Sequence, residues 1–315
     1  RPAAPPGGPG PGSVMRILIS GGSGFLGRAL TARLREDGAQ VAWLSRDASR
    51  RAPDGVRVLG YDQLGADDHF DAVVNLAGAG IAEKRWIDRR KQLLFESRLG
   101  PTRALIEWMR RMPRRPRVLL SGSAVGWYGA RGDAPLGEGS AATDDFSHSL
   151  CEAWESAAME AVSLEVPVLL LRTGIALHPA GGMLKRLLPP FRMGLGARLG
   201  DGSQVLSWIS RRDWVEAVRS LLLQHLDGTR SAPVGPVNVT APEPVTNAQF
   251  TRALAHALRR PAGLALPAPV LRLGLGEMST LLLEGQRVLP ERLQQSGFVF
   301  RHPQLNPYLD TALAR

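Results

Sequence analysis

Five residues, Arg16 to Ser20 (RILIS), form a short run rich in aliphatic side chains that stops directly at glycine. Behind the glycines, Leu26, Leu30 and Leu34 recur at helical spacing within Phe25 to Asp37, and Gly38 stands where a helix needs to close. The pattern predicts strand, turn and helix, and Gln40 to Leu44 (QVAWL) supplies the second strand of a βαβ unit. Further apolar runs at Val56 to Leu59, Ala72 to Leu76, Val118 to Leu120 and Val166 to Leu171 alternate with helical patterns around Asp88 to Met109 and Phe146 to Val162. Such alternation specifies an α/β fold with a doubly wound parallel sheet of the Rossmann type. Beyond Thr173 the rhythm breaks. Gly181-Gly182, Pro189-Pro190 and Gly194 to Gly202 mark loops, before a strand at Val237 to Val239 and a helix over Asn247 to Leu258. The last third, with an apolar run from Val270 to Leu283 and an aromatic-flanked strand at Phe298 to Phe300, reads as a smaller C-terminal substrate lobe. The expected division is a nucleotide-binding domain over residues 15–175, rejoined by about 205–240, and a lobe built from 176–204 and 241–315.

Composition narrows the classes. With 315 residues, 44% hydrophobic and 22% charged, the chain can bury a substantial core. No apolar run reaches the roughly 18 residues of a membrane helix. The formal charge of +10 invites nucleic acid, but Lys84, Lys91 and Lys185 are the only lysines, which leaves 36 of the 39 basic residues as arginine. These arginines run along the whole chain without interleaved aromatics, so they read as solvated faces and as contacts to phosphates of a small ligand. A small-molecule substrate is expected, and no specific nucleic-acid partner. The single cysteine, Cys151, excludes an intrachain disulfide and a cysteine-cluster metal site, and the six histidines offer no zinc spacing. A reducing, cytoplasmic setting without a metal follows as the expectation. Residues 1–14, rich in Pro and Gly, read as a disordered leader, tag remnant or upstream extension before Met15.

The turn between the first strand and its helix carries the clearest chemistry. Gly21, Gly24 and Gly27 form a Gly-x-x-Gly-x-x-Gly array, with Gly22, Ser23, Phe25 and Leu26 between them. The first glycine allows the tight turn, the second lets backbone approach a pyrophosphate, and the third permits close helix packing, while free N–H groups at the helix start face the anion. An NAD site would place Asp or Glu at the end of the second strand to bind the ribose 2′-hydroxyl. Ser45 and Arg46 stand there instead. A hydroxyl and a guanidinium suit a 2′-phosphate, so NADP(H) is favoured over NAD(H), the alternative being that Arg46 sits on a solvated loop. After the apolar strand, Asn75, Leu76, Ala77 and Gly78 form a small-residue turn where the nicotinamide-side ribose can approach.

These residues resemble a known family. Ser20 to Gly27 (SGGSGFLG), Asn75 to Gly78 (NLAG) and Ser121 to Gly129 (SGSAVGWYG) look like an extended short-chain dehydrogenase/reductase. Arg85-Trp86, Ser97-Arg98, Trp154-Glu155, Leu188 to Gly196 (LPPFRMGLG) and Leu282 to Pro290 (LLEGQRVLP) resemble its YfcH-type, epimerase-like branch with a C-terminal domain of its own. The resemblance implies an NADP(H)-binding Rossmann domain, with Ser121 beside the cofactor, and a substrate lobe. Related enzymes act on nucleotide sugars or other hydroxyl and carbonyl compounds through a Ser/Thr, a Tyr and a Lys. Here the chain departs from the pattern: with Glu155 at the helix's usual acidic position, the Tyr-x-x-x-Lys pair falls on Ser147 and Cys151. A lysine normally lowers the tyrosine pKa and holds the ribose, and neither replacement can do so.

Two residues remain for proton handling. Ser123 can hydrogen-bond a substrate oxygen, and Tyr128 offers a phenol if its loop folds back toward the nicotinamide; alternatively Tyr128 packs with Trp127 as an aromatic lid and Ser123 is a structural hydroxyl. Arg172, ending an apolar strand, needs either a cofactor phosphate or a neighbouring carboxylate. The expected activity is that of an NADP(H)-dependent oxidoreductase or epimerase-like enzyme, and its rival is a catalytically inactive NADPH sensor that lacks the Tyr-x-x-x-Lys pair.

Overall fold

In the computed structural model, which describes residues 14–65 and 67–314, each apolar run of the first half forms a strand, and all but the edge strand at Arg57–Leu59 are buried on both faces. The strands β1 (Arg16–Ser20), β2 (Gln40–Leu44), β3 (Arg57–Leu59), β4 (Ala72–Asn75), β5 (Leu119–Ala124), β6 (Val168–Thr173) and β7 (Gly235–Val239) make one seven-stranded sheet in the order β7-β6-β5-β4-β1-β2-β3. All its pairings are parallel. Strand order reverses between β1 and β4, the place where open α/β sheets leave a crevice at their C-terminal edge. The expected leader, apart from Val14, lies outside the described residues.

Six longer helices complete the frame: α1 (Phe25–Glu36), α2 (Asp88–Arg111), α3 (Phe146–Met159), α4 (Gly182–Arg192), α5 (Arg211–Leu226) and α6 (Asn247–Leu258). Side chains alternate across the sheet, so Ile17 and Ile19 join one core with Leu30, Leu34 and Trp214, while Leu18 joins the opposite one with Leu105, Trp108 and Ala158. Thus α1 and α5 cover one face and α2 and α3 the other. A third core gathers Leu184, Leu188 and Phe191 of α4, Phe250 and Leu254 of α6, and Leu305 and Leu309 near the chain end.

Three sequence expectations are corrected. The stretch around Pro189-Pro190, expected to be a loop, is α4: its prolines fall in the last turns, and Leu184, Leu188 and Phe191 recur on one face that the third core buries. Strand β5 continues through Ser121 to Ala124 because Gly122 and Ser123 register against Leu171 and Arg172 of β6. Phe298 to Phe300 is not a strand. Both aromatic rings pack against the first core, and the chain beyond them is fixed by a side chain rather than by a ladder. Asp213, buried in the first turn of α5, accepts from the backbone N–H of Arg301 (2.9 Å) and of His302 (2.8 Å), and from the Ser210 hydroxyl (3.0 Å).

That anchor is testable. Asp213→Ala leaves both N–H groups without their acceptor, and a loss of about 2–4 kcal/mol is expected in urea denaturation. Asp213→Asn keeps one carbonyl oxygen and should lose roughly half as much. Equal stability of all three proteins would show that the segment is held by its aromatic packing alone.

Candidate functional site

The turn from β1 into α1 is built by contacts that exclude side chains. Gly21 has φ +77°, and a Cβ there would lie 2.7 Å from the Leu76 carbonyl, so only glycine lets this turn meet the one after β4. A Cβ on Gly27 would strike the Gly21 carbonyl oxygen, which brings α1 down onto the turn itself. Thr31 fastens this arrangement, donating to Gly27 O (2.7 Å) and accepting from the Trp43 indole of β2 (2.8 Å). The N-cap, Gly24, carries no capping side chain, so the first-turn N–H groups of α1 open onto the crevice with their positive dipole end.

A cavity of about 330 Å³ starts there and is lined by Gly21, Gly22, Ser23, Gly24, Ser45, Arg46, Leu76, Ala77 and Gly78, all expected from sequence. It also takes in Asp47, Arg50, Tyr61 and Ser97, which sequence reasoning missed. Arg50 donates to the Ser23 hydroxyl (2.7 Å), so a residue six positions beyond β2 folds back over the glycine turn. Its only signal in the sequence is the repeat of arginine in Arg46, Arg50 and Arg51. Neither Arg46 nor Arg50 has a carboxylate partner among the described residues. Asp47 turns its carboxylate to the Ser49 hydroxyl and N–H, which hold it below the ordinary carboxylate range.

Other expected residues stand just outside this lining. Asn75 is fully buried, and its amide donates to Thr102 Oγ1 (2.8 Å), so it pins α2 rather than facing the cleft. Leu26 packs on the first core, and Phe25 turns toward Gly181 and the Arg211 guanidinium. Ser121 is buried at the register partner of Asn75, and its hydroxyl has no hydrogen-bond partner.

Ser123 and Tyr128 come together, but inside the protein. Ser123 donates to Glu155 Oε1 (2.6 Å), and Arg172 grips the same carboxylate with Nε (2.8 Å) and Nη2 (2.9 Å). The Arg172 guanidinium also lies 3.5 Å from the centroid of the Trp127 ring and 3.3 Å from the Tyr128 hydroxyl. That hydroxyl bonds Asn238 Oδ1 of β7 (2.7 Å), and Tyr128 has no exposed surface. The expected fold-back of Tyr128 toward a nicotinamide is therefore corrected: a buried guanidinium and an amide oxygen draw the phenol inward. Burial raises the Tyr128 pKa against the pull of Arg172. Burial opposes the charge on Arg172, but the Glu155 carboxylate outweighs it and holds the guanidinium above its ordinary value. Of the two partners expected for Arg172, the carboxylate is the one present.

A second cavity, about 300 Å³, opens where β5 and β6 end and is closed from the other side by residues 280–286. Ser147 and Cys151, one turn apart on α3, line it together with Gly126, Thr173, Ser207 and Thr280. Burial and the Glu155 charge push the Cys151 thiol up to about 12, so it is neither a nucleophile nor a cation at neutral pH. Two carboxylates line the space, Asp145 and Glu284, and no Lys, Arg or His does. Asp145 is committed to capping α3, accepting from His148 N (2.8 Å), and to Ala130 N (3.2 Å). The Glu284 carboxyl makes no hydrogen bond to another described residue, and burial followed by the Asp145 charge raises its pKa against the pull of the Arg272 guanidinium. Among the described residues no cluster of side chains has the makings of a metal site, and no helix is long and apolar enough to cross a membrane.

Comparison with known proteins agrees with this architecture. The NAD dependent epimerase/dehydratase family matches residues 17–239, and a domain of unknown function, DUF1731, matches residues 266–312. Epimerase family protein MT2273 of Mycobacterium tuberculosis is 41% identical over 307 residues, covering 95% of this chain and 98% of that protein. The crystal structure of human epimerase family protein SDR39U1 with NADPH is 32% identical and superposes with a TM-score of 0.85 over 95% of this chain and 99% of that one. A nucleoside-diphosphate sugar epimerase from Corynebacterium glutamicum is 31% identical with a TM-score of 0.76, over 96% of this chain and 59% of that one. By fold, by cleft and by these matches, the chain belongs to the NAD-dependent epimerase/dehydratase family, in its SDR39U1-like group with a DUF1731 C-terminal domain.

Proposed function

We propose that the protein is an NADP(H)-dependent oxidoreductase or epimerase-like enzyme acting on a small hydroxyl or carbonyl compound that carries no phosphate. The observation that supports the cofactor most is the pairing of a glycine turn at the uncapped start of α1 with two guanidiniums beyond β2, Arg46 and Arg50, that have no carboxylate within 4.0 Å among the described residues. The donor set fits the dinucleotide. First-turn N–H groups suit the pyrophosphate, and Ser45, Arg46 and Arg50 suit a 2′-phosphate. NADPH in the human relative's structure supports the same reading. Bound there, a nicotinamide dinucleotide supplies hydride transfer. The chain's own share is to orient, to exclude water and to move a proton.

The second cavity supports the substrate class. A nucleoside diphosphate buried among Asp145 and Glu284, with no lysine or arginine in the lining, would meet repulsion and no charge-assisted donor. Proton exchange falls to Glu284. Asp145 is committed as a cap, Cys151 keeps its proton, and Ser123 and Tyr128 are bonded to Glu155 and Asn238. An unbonded carboxyl whose pKa is raised, in the wall of a reaction cavity, is suited to donating a proton. The rival, an NADPH-binding sensor without turnover, draws on the inward orientation of Tyr128 and on Ser147 and Cys151 in place of a Tyr-x-x-x-Lys pair.

Fluorescence titration should find NADPH bound at least about tenfold more tightly than NADH, a difference of about 1.4 kcal/mol, and Arg46→Ala combined with Arg50→Ala should erase most of it. NADH binding as tightly as NADPH would remove the selectivity. With NADPH present, UDP-glucose should show no binding at millimolar concentration, and saturable binding would reopen the nucleotide-sugar class. In a carbonyl-reduction screen, activity should fall as pH rises through the Glu284 pKa, since the protonated form is the donor. Glu284→Gln should lower turnover about 100-fold, abolish that limb and leave NADPH affinity unchanged. An NADPH-binding protein silent across broad carbonyl and hydroxyl panels would favour the sensor.

A further inference from the structure

The missing lysine leaves a question of charge that Arg98 answers. This residue belongs to α2, a different helix from the one that carries Ser147 and Cys151. Its side chain lies flat against the turn after β4, so closely that a Cβ on Gly78 would come within 3.2 Å of Arg98 Cγ and Cζ. On its other side the guanidinium lies over the Trp154 ring of α3, 5.1 Å from the centroid. Trp154 sits one turn below Cys151 and reaches under Gly122 of β5. Arg98 therefore stands between the turn that lines the cofactor cleft and the helix turn where a lysine would be.

Its partners leave capacity for a ligand. Nη1 donates to Leu94 O (3.0 Å) within its own helix, and no carboxylate lies within 4.0 Å of the guanidinium among the described residues. Burial lowers its pKa, and the neighbouring cation Arg90 adds to that cost. The guanidinium is only partly buried, and neither Nε nor Nη2 bonds a described residue, so donors remain open to a ligand. Ser97 strengthens the placement: its hydroxyl accepts from Ala79 N (3.0 Å), fastening α2 to the loop beyond Gly78.

We propose that Arg98 holds the nicotinamide-side ribose hydroxyls of the dinucleotide, doing from α2 what the lysine of a Tyr-x-x-x-Lys pair would do from α3. A guanidinium has five N–H donors in a fixed fork and can engage two vicinal hydroxyls at once, as an ammonium on a flexible stem can. The inference rests on the dinucleotide reading of the cleft and adds to it the residue that fixes the reactive half. It also accounts for Gly78, where a Cβ would crowd the Arg98 side chain at 3.2 Å.

The test separates the two halves of the cofactor. Wild type, Arg98→Lys and Arg98→Leu are titrated by tryptophan fluorescence with NADPH and with 2′,5′-ADP, which carries the 2′-phosphate but no nicotinamide ribose. The expected result is NADPH binding weakened at least tenfold in Arg98→Leu, with 2′,5′-ADP within twofold of wild type and most NADPH affinity retained in Arg98→Lys. NADPH affinity within twofold of wild type in Arg98→Leu overturns the inference while leaving the dinucleotide reading intact. Equal weakening toward both ligands also overturns it, since Arg98 would then support the cleft as a whole. Should Arg98→Leu not fold, Arg98→Gln takes its place under the same criteria. A wild-type protein that binds neither ligand overturns the dinucleotide reading, and this inference with it.

Discussion

A guanidinium at the inner end of β6 must find negative charge inside the protein, and the carboxylate of Glu155 supplies it through two hydrogen bonds. Removing one partner of such a buried pair typically costs about 3–5 kcal/mol, because the other is left as a lone buried ion. The pair reaches well beyond two side chains. Through Ser123 it includes β5, through Tyr128 and Asn238 it includes β7, and through Glu155 it fixes the rotation of α3 about its axis. With that rotation set, Ser147 and Cys151 face the second cavity and Trp154 faces Gly122.

This constraint decides which groups remain free for chemistry. A serine at the end of β5 and a tyrosine in the turn behind it look from sequence like a proton-handling pair, yet both hydroxyls are spent on the ion pair and its neighbours. The free carboxyl comes instead from Glu284, in the segment matched by the DUF1731 domain. In this chain one wall of the second cavity and its unbonded carboxyl therefore belong to the C-terminal part, while the sheet edge provides the floor.

The sheet and the glycine turn were readable because each depends on short-range chemistry. Continuous apolar strands need burial on both faces wherever they pack, and Gly21 needs its positive φ whatever follows it. Arg50 was hidden because its contact with Ser23 spans 27 positions and depends on how one loop returns. The helix α4 was hidden behind two prolines whose cost is offset by burying Leu184, Leu188 and Phe191. Phe298 to Phe300 misled for a similar reason: alternating aromatics suggest a strand, but the backbone just beyond them finds its acceptor in the Asp213 side chain, 88 positions before Arg301. Direction was the harder quantity throughout. Nothing local says whether Tyr128 points toward a cofactor or toward Arg172, because the deciding partners lie on β6 and β7.

The distribution of charge carries the argument one step further. A chain with 39 basic residues and a net charge of +10 could be expected to present arginine in every concave surface. Arg46 and Arg50 do line the first cavity, yet the second has two carboxylates and no basic side chain. A functional division between the two cavities accounts for that contrast. Cations gather where a polyanionic cofactor binds, and they are absent where they would trap its phosphates in the wrong cavity or bind adventitious anions. On this view the arginine-rich composition sets a requirement on the second cavity, which has to stay free of guanidinium groups if the phosphates of a nicotinamide dinucleotide are to have one favourable place to lie.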